Sequence, residues 1–307
     1  MLLENIKDLY LSNNIDYGSL FKQIKLFGDY EEGAYIDIFL PTYNRDSFTL
    51  KTLQYLFASL QNINYSYNVV CTSFNYSEEV KKTCLDNGGI YLYSSTFPKQ
   101  HNTFSRALSF DLPFKYLKCS SNWCMFTDCD LLVTPTFMEN TLNKLKGVTT
   151  WLQPYSYKRI TNLTEEGSQA VFQSEKCIDL TSLEAIYPKS GAPGGCVIVS
   201  NNLYKSVGGY DPELFWGYGP EDAMFWVKLE CMVGEVGAIE GCHVGGATYS
   251  NSETLYHLYH EPQWMKTRTH KEQRHAYDMQ LIHDSFFALP YDKKLKLIEF
   301  KKELYGN

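Results

Sequence analysis

The apolar positions of this 307-residue chain follow two periods. Leu2, Leu3, Ile6, Leu9 and Tyr10 recur at helical spacing, and Phe21, Ile24 and Phe27 continue it. The pattern predicts a helical N-terminal cap over residues 1–34. A strand follows at 35–40, halted by Pro41, with a turn at 42–46 and a helix capped by Asp46 or Ser47 running to Leu60. Short apolar runs at 69–72 and 90–94 read as strands, and the helical stretch 78–87 between them ends at Gly88-Gly89. Residues 103–117 read as a helix made irregular by Pro113, leading into a strand that ends before Asp128. Strands alternating with helices predict an α/β fold with a doubly wound, mostly parallel, Rossmann-like sheet.

Beyond Pro135 the pattern gives a helix at 137–145 and a less regular stretch at 151–190. Trp151, Tyr155, Tyr157, Lys158 and Arg159 in that stretch suit loops around a substrate. A strand at 194–200 is entered through Gly194 and Gly195, helices are expected at 201–207 and 221–231, and residues 254–260 look extended. The segment 263–307 is polar and helical. The expected organisation is a cap at 1–34, a catalytic domain at 35–262 (donor half about 35–135, acceptor half about 136–262) and a C-terminal helical extension at 263–307.

Composition narrows the chemistry. A net charge of −7 and a pI near 5.6 argue against a general nucleic-acid binder. The chain has no apolar run approaching the ~18–20 residues that span a bilayer. The N-terminus lacks the layout of a signal peptide. Nine scattered cysteines without a CxxC pair fit free thiols in a reducing cytoplasm.

Asn122-Trp-Cys-Met-Phe-Thr-Asp-Cys-Asp130 runs apolar residues straight into two carboxylates. Asp128 and Asp130 emerge where a buried strand ends, and open α/β sheets bind ligands at that edge. Two hard oxygen donors there suit a divalent cation, Mn²⁺ or Mg²⁺, carrying a diphosphate. Cys129 between them is expected to be a small side chain pointing away into the interior.

Four further segments keep a fixed order around this pair: Pro41-Thr-Tyr-Asn-Arg45, Phe104-Ser-Arg-Ala107, Gly194-Gly195 and Trp216-Gly-Tyr-Gly-Pro-Glu-Asp222. The His-rich Leu255-Tyr-His-Leu-Tyr-His-Glu-Pro262 comes after them. The ordered set resembles nucleotide-sugar glycosyltransferases of the GT-A fold, closest to the β-1,4-galactosyltransferase and chondroitin-polymerase branch, over about residues 35–262. Ser105, Tyr218 and Pro220 depart from the family's Phe-Asn-Arg-Ala and Trp-Gly-Trp-Gly-Gly-Glu-Asp.

The resemblance implies a metal-dependent inverting transfer of a hexose or N-acetylhexosamine from a UDP-sugar to a carbohydrate or lipid-linked sugar acceptor. Asp130 is the expected metal ligand, and Asp128 shares the metal or holds the ribose. A soft imidazole often completes such a site. His257 and His260 compete for that place, because positions three apart on a strand face opposite sides; the His-Glu-Pro-x-Trp ending favours His260, with His243 third. Pro41, Thr42, Tyr43 and Arg45 are expected around the nucleotide, Arg106 at the diphosphate or base, and Gly194 and Gly195 beside the donor sugar. Trp216 and Tyr218 are expected to stack on the acceptor from a mobile glycine-rich lid. Asp222 is the expected base, and Glu221 a ligand for an acceptor hydroxyl.

Two other enzyme classes are weighed on the same residues. Retaining relatives carry Glu-Asn where this chain has Glu221-Asp222, and a nucleotidyltransferase opens on a glycine-rich loop where this chain has Pro41-Thr-Tyr-Asn. The tail Lys293-Lys-Leu-Lys-Leu-Ile-Glu-Phe-Lys-Lys302 offers a basic amphipathic helix. That helix either packs on the domain or makes peripheral contact with an anionic membrane.

Overall fold

The computed structural model describes residues 3–61, 63–98, 103–148, 150–155, 160–186, 195–217, 219–233, 248–249, 254–261 and 270–305. The chain opens with α1 (Leu3–Ser12), α2 (Tyr17–Phe21) and β1 (Ile24–Phe27). Alternating units follow: β2 (Ile36–Thr42), α3 (Asp46–Leu60), β3 (Tyr67–Ser73), α4 (Glu78–Asp86), β4 (Ile90–Ser94), α5 (Arg106–Tyr116) and β5 (Trp123–Thr127). Next come β6 (Leu131–Leu132), α6 (Phe137–Leu145), β7 (Trp151–Gln153), β8 (Ile160–Leu163), α7 (Glu165–Gln173) and β9 (Ala185–Ile186). The last elements are β10 (Cys196–Ser200), α8 (Asn201–Ser206), α9 (Glu221–Val233), β11 (Thr248–Tyr249), β12 (Leu255–His257), α10 (His270–Phe287) and α11 (Tyr291–Tyr305).

The main sheet runs in the order β1-β4-β3-β2-β5-β10-β7-β11. Its centre, β4-β3-β2-β5, is parallel, while β1, β10 and β7 join antiparallel. All seven residues of β2 are buried, as a parallel strand covered on both faces requires. Ile36, Ile38 and Leu40 pack with Leu53 and Leu56 of α3 on one face. Phe39 packs with Phe110, Phe126, Tyr204 and Phe225 on the other. Chain order reverses between β2 and β5, with β3 and β4 on one side and β5 on the other. A crevice therefore opens at the carboxyl ends of β2 and β5. A second sheet, β6-β12-β8-β9, stands beside that edge.

Several expectations are corrected. Ile24 and Phe27 lie in a strand whose pairing with β4 overrides their helix-like spacing. Pro41 does not halt β2: the strand runs to Thr42, paired with β3 in the register Pro41↔Thr72. Pairing with β5 stops at Phe39, so Pro41 sits where one side of the strand is free and a missing N–H costs no ladder bond. The N-cap of α3 is Arg45, with no side-chain cap bond, rather than Asp46 or Ser47. The stretch at 151–190 holds β7, β8, α7 and β9, and Trp151 and Tyr155 are buried in the core rather than exposed around a substrate.

The two ends of the chain meet in a third apolar cluster. Ile6 and Tyr10 of α1 pack with Met279, Ile282 and Phe286 of α10, Leu297 and Ile298 of α11, and Phe215 and Met224. Leu295 and Phe300 also pack against it, so the apolar side of the lysine-rich tail faces inward. Beneath the cluster, buried Lys228 of α9 pairs with Asp211 at 2.8 Å, and buried Lys301 of α11 lies 3.0 Å from Asp211 and 3.6 Å from Glu213. Among the described residues no helix is long and apolar enough to cross a membrane. Among the described residues eight cysteines, buried Cys129 included, are free thiols.

Candidate active site

Past the end of β5, the Asp128 N–H donates to the Gly195 carbonyl at 2.9 Å, extending the β5–β10 pairing by one residue. The chain then turns. The Asp130 carbonyl accepts the Leu258 N–H at 2.9 Å, and Leu131 pairs with His257 in the second sheet. Between them the Cys129 carbonyl accepts the Thr52 hydroxyl at 2.8 Å. Asp128 is thereby tied to the large sheet and Asp130 to the small one, at their seam.

His257 and His260 both reach Asp130. Their Nε2 atoms lie 3.8 and 3.3 Å from the same carboxylate oxygen, Oδ2. Strand alternation does not keep the two rings apart, because β12 ends at His257 and His260 lies beyond the last ladder bond at Leu258. One ligand atom from each of Asp130, His257 and His260 falls within 4.8 Å of the others. Atoms bound ~2.1 Å from a shared ion stand ~3–4 Å apart, so little movement separates this arrangement from a closed ligand set. One oxygen and two imidazole nitrogens suit a divalent transition metal. Burial pushes His257 below its usual pKa despite the pull of Asp130, favouring the neutral ring a metal needs. Burial opposes charge on Asp130 as well, yet the His260 hydrogen bond and the nearby His257 and Arg45 outweigh it and hold Asp130 well below the usual carboxylate range.

Arg45, expected near the nucleotide, donates to Asp130 Oδ2, with its guanidinium 5.7 Å from the Phe48 ring. Phe48 also meets His260 edge-on at 6.1 Å.

Arg106 is the second hub. The Ser105 side chain caps α5 by accepting the Leu108 N–H, which aims the next residue at the carboxyl edge. From there the guanidinium donates to Asp128 through Nε and to Asp222 through Nη1, lies 3.6 Å from Glu221, and covers the Phe110 ring at 4.8 Å. It faces carboxylates instead of reaching into open space for a diphosphate. Burial raises Asp128 to about 7, Arg106 pulling against burial and the charges of Asp130 and Asp222 adding to it. Burial and then the Asp222 charge raise Glu221 to about 8. Its Oε2 is buried without a hydrogen-bond partner.

The remaining expected residues divide. Pro41 and Thr42 are buried in β2, and the Thr42 hydroxyl is shared with Thr49 at 2.6 Å. Tyr43 stacks on Phe104, with centroids 5.4 Å apart and planes 2° from parallel. Phe97 stands edge-on to Tyr43 at 5.5 Å and stacks on Phe74. This aromatic wall escaped the sequence reading because its members come from three separate connections. Gly195 has φ +110, a conformation that strains any other residue, and a Cβ there would stand 3.0 Å from the Leu131 side chain. Trp216 precedes the turn into α9 and is partly buried. Gly194, Tyr218, His243, Tyr157, Lys158 and Arg159 lie outside the described residues.

A family profile described as the N-terminal domain of galactosyltransferase matches residues 177–261, less than a third of the chain. That span contains Gly195, Trp216, Glu221, Asp222, His257 and His260. No curated protein matches the chain. Among solved structures it is similar to a mutant Drosophila β-1,4-galactosyltransferase 7 in complex with manganese, UDP-Gal and xylobiose, at 15% identity over 78% of each chain, TM-score 0.44. It is also similar to Staphylococcus aureus TarS 1–349 with UDP-GlcNAc, at 11% identity over 88% of this chain and 73% of that one, TM-score 0.49. A third is the Pyrobaculum calidifontis mannosyltransferase PcManGT with GDP-Man and Mn²⁺, at 10% identity over 99% and 81%, TM-score 0.47.

Proposed function

We propose that this chain is a metal-dependent inverting glycosyltransferase, moving a hexose or N-acetylhexosamine from a UDP-sugar to a carbohydrate or glycolipid acceptor. The observation that carries the reading is the convergence at one sheet edge of an Asp130–His257–His260 donor set and a separate carboxylate pair, Glu221 and Asp222, joined to Asp128 through Arg106. The partial match to a galactosyltransferase profile supports it.

Asp130, His257 and His260 would hold a divalent cation, which when bound would supply Lewis-acid stabilisation of a departing diphosphate. The chain's own residues do the rest. Asp222 accepts the proton of the acceptor hydroxyl as that oxygen attacks the anomeric carbon. Arg106 fixes the orientation of the Asp222 carboxylate and keeps Asp128 beside it. Glu221, carrying its proton near neutral pH, donates to an acceptor hydroxyl or ring oxygen. Trp216 offers an apolar face to the acceptor sugar. The Tyr43–Phe104 wall offers a flat surface to the nucleotide base.

The test is a screen of UDP-sugars for release of UDP in Mn²⁺ and in EDTA, followed by NMR of the anomeric proton in the product. The reading expects one preferred donor, dependence on Mn²⁺, and an anomeric configuration opposite to the donor's. Retention of configuration would point to the retaining class, and pyrophosphate release from a nucleoside triphosphate with a sugar phosphate to a nucleotidyltransferase.

A further inference from the structure

The glycine-rich segment ahead of Glu221 is held from two sides. Toward α5, the Ser105 hydroxyl donates to the Phe215 carbonyl at 2.9 Å, and the Gly217 N–H donates to the Phe104 carbonyl at 2.7 Å. Toward the C-terminus, α10 closes on the other side. Nε2 of His275 lies 2.8 Å from the Trp216 carbonyl, and its ring rests against the indole with centroids 4.7 Å apart and planes at 35°. A carbonyl oxygen only accepts, so this nitrogen carries the proton and donates. Met279, one turn further along the same helix face, fills the space a side chain at Gly219 would need: a Cβ there would stand 2.9 Å from its sulfur. Met279 is itself buried with Leu214, Phe215 and Met224.

From this arrangement we propose that His275 is a positioning residue for the acceptor side of the site. It holds Trp216, and with it the turn that delivers Glu221 and Asp222, while the donor side stands on a different support. Asp130 and His257 are tied to β6 and β12, and His260 follows shortly after that strand. The assignment of Trp216 to an acceptor rests on the transferase reading above. His275 lies beyond both the span of family resemblance and the matched profile, so the device belongs to this chain's own C-terminal helix.

Hydrogen exchange read by mass spectrometry on peptides covering 214–220, with calorimetry of UDP in Mn²⁺ and a thermal melt, tests the proposal on the full chain. His275→Ala should speed exchange at 214–220 by about three- to ten-fold, the loss of one hydrogen bond. UDP affinity should stay within about two-fold, because the donor side is supported separately. His275→Gln, whose amide can still donate, should restore most of the protection. If His275→Ala does not fold, His275→Asn, too short to reach the carbonyl, replaces it. Unchanged exchange at 214–220, or Gln behaving like Ala, or acceleration spread evenly over α9 and α10, would overturn the proposal. Failure of the wild type to bind UDP with Mn²⁺ while exchange at 214–220 still depends on His275 would instead sink the transferase reading and leave the clamp standing.

Discussion

Asp130 and His260 lie far apart in the chain, yet the His260 Nε2 stands 3.3 Å from the Asp130 carboxylate. Backbone pairing produces that contact. The antiparallel register of β6 with β12 sets His257 opposite Leu131, and the Leu258 N–H closes on the Asp130 carbonyl. His260 follows two residues later, off the ladder and free to turn back. Because both imidazoles face one oxygen, His257→Ala and His260→Ala should each weaken Mn²⁺ binding by about 10–100-fold or more. Electron paramagnetic resonance of free Mn²⁺ checks this, and full affinity in either variant would remove that histidine from the set.

Asp222→Asn keeps the shape of the side chain and most of its contact with Arg106 but removes the proton acceptor. Turnover should fall by about two to four powers of ten, the range for losing a general base. UDP affinity in Mn²⁺ should be nearly unchanged. Steady-state kinetics with the donor found in the screen provide the measurement, and near-normal kcat would refute the assignment.

Burial raises Glu213 from 4.5 to about 7, Asp111 and Asp211 adding to it and Lys301 opposing, with Lys228, Tyr10 and Tyr305 also facing the cluster. A carboxyl that holds its proton more tightly when folded makes folding less favourable as it ionises. Stability should therefore fall as pH rises from about 4.5 to 7, by up to about 3 kcal/mol. Lys228, lowered to about 8 first by burial, works in a separate window and returns stability as pH climbs above 8. Urea unfolding across pH should show the decline in the wild type and a flatter profile in Glu213→Gln. Equal slopes for the two proteins would contradict this account.

Leu297 and Ile298 of α11 are buried, and Lys301 reaches inward to the Tyr210 carbonyl. The helix has no free apolar side to lay on a bilayer. The full chain should stay at the bottom of a flotation gradient with anionic vesicles at physiological salt. Flotation there would mean that α11 leaves its seat or that another surface binds lipid.

The parallel half of the fold was legible because β2, β3, β4 and β5 are long enough to carry their pattern and are separated by helices with clear stops. Gly88-Gly89 after α4 is a local stop signal that holds wherever the chain goes, and the Ser77 cap at its start, which the structure adds, is local as well. Ile24 and Phe27 misled because three-residue spacing fits a helix, whereas their fate is decided by β4, more than sixty positions away. The second sheet was missed because β6, β8, β9 and β12 have two to four residues each, too few to show alternation. Asp128, Asp130, Glu221 and Asp222 could be read as candidates from their placement at element ends. The meeting of His257 with His260 could not, since it depends on where β12 stops. Nor could the single guanidinium of Arg106 between Asp128 and Asp222, which depends on helices from opposite halves of the chain.

The central claim is that Asp130, His257 and His260 hold the cation on which nucleotide binding depends. Titration of UDP into the wild type and Asp130→Ala, each in Mn²⁺ and in EDTA, tests it most directly. The wild type should bind UDP far more tightly in Mn²⁺ than in EDTA, and Asp130→Ala should lose that difference while melting as a folded protein. Equal UDP affinity in Mn²⁺ and EDTA for the wild type, or a metal effect that survives in Asp130→Ala, would contradict the account.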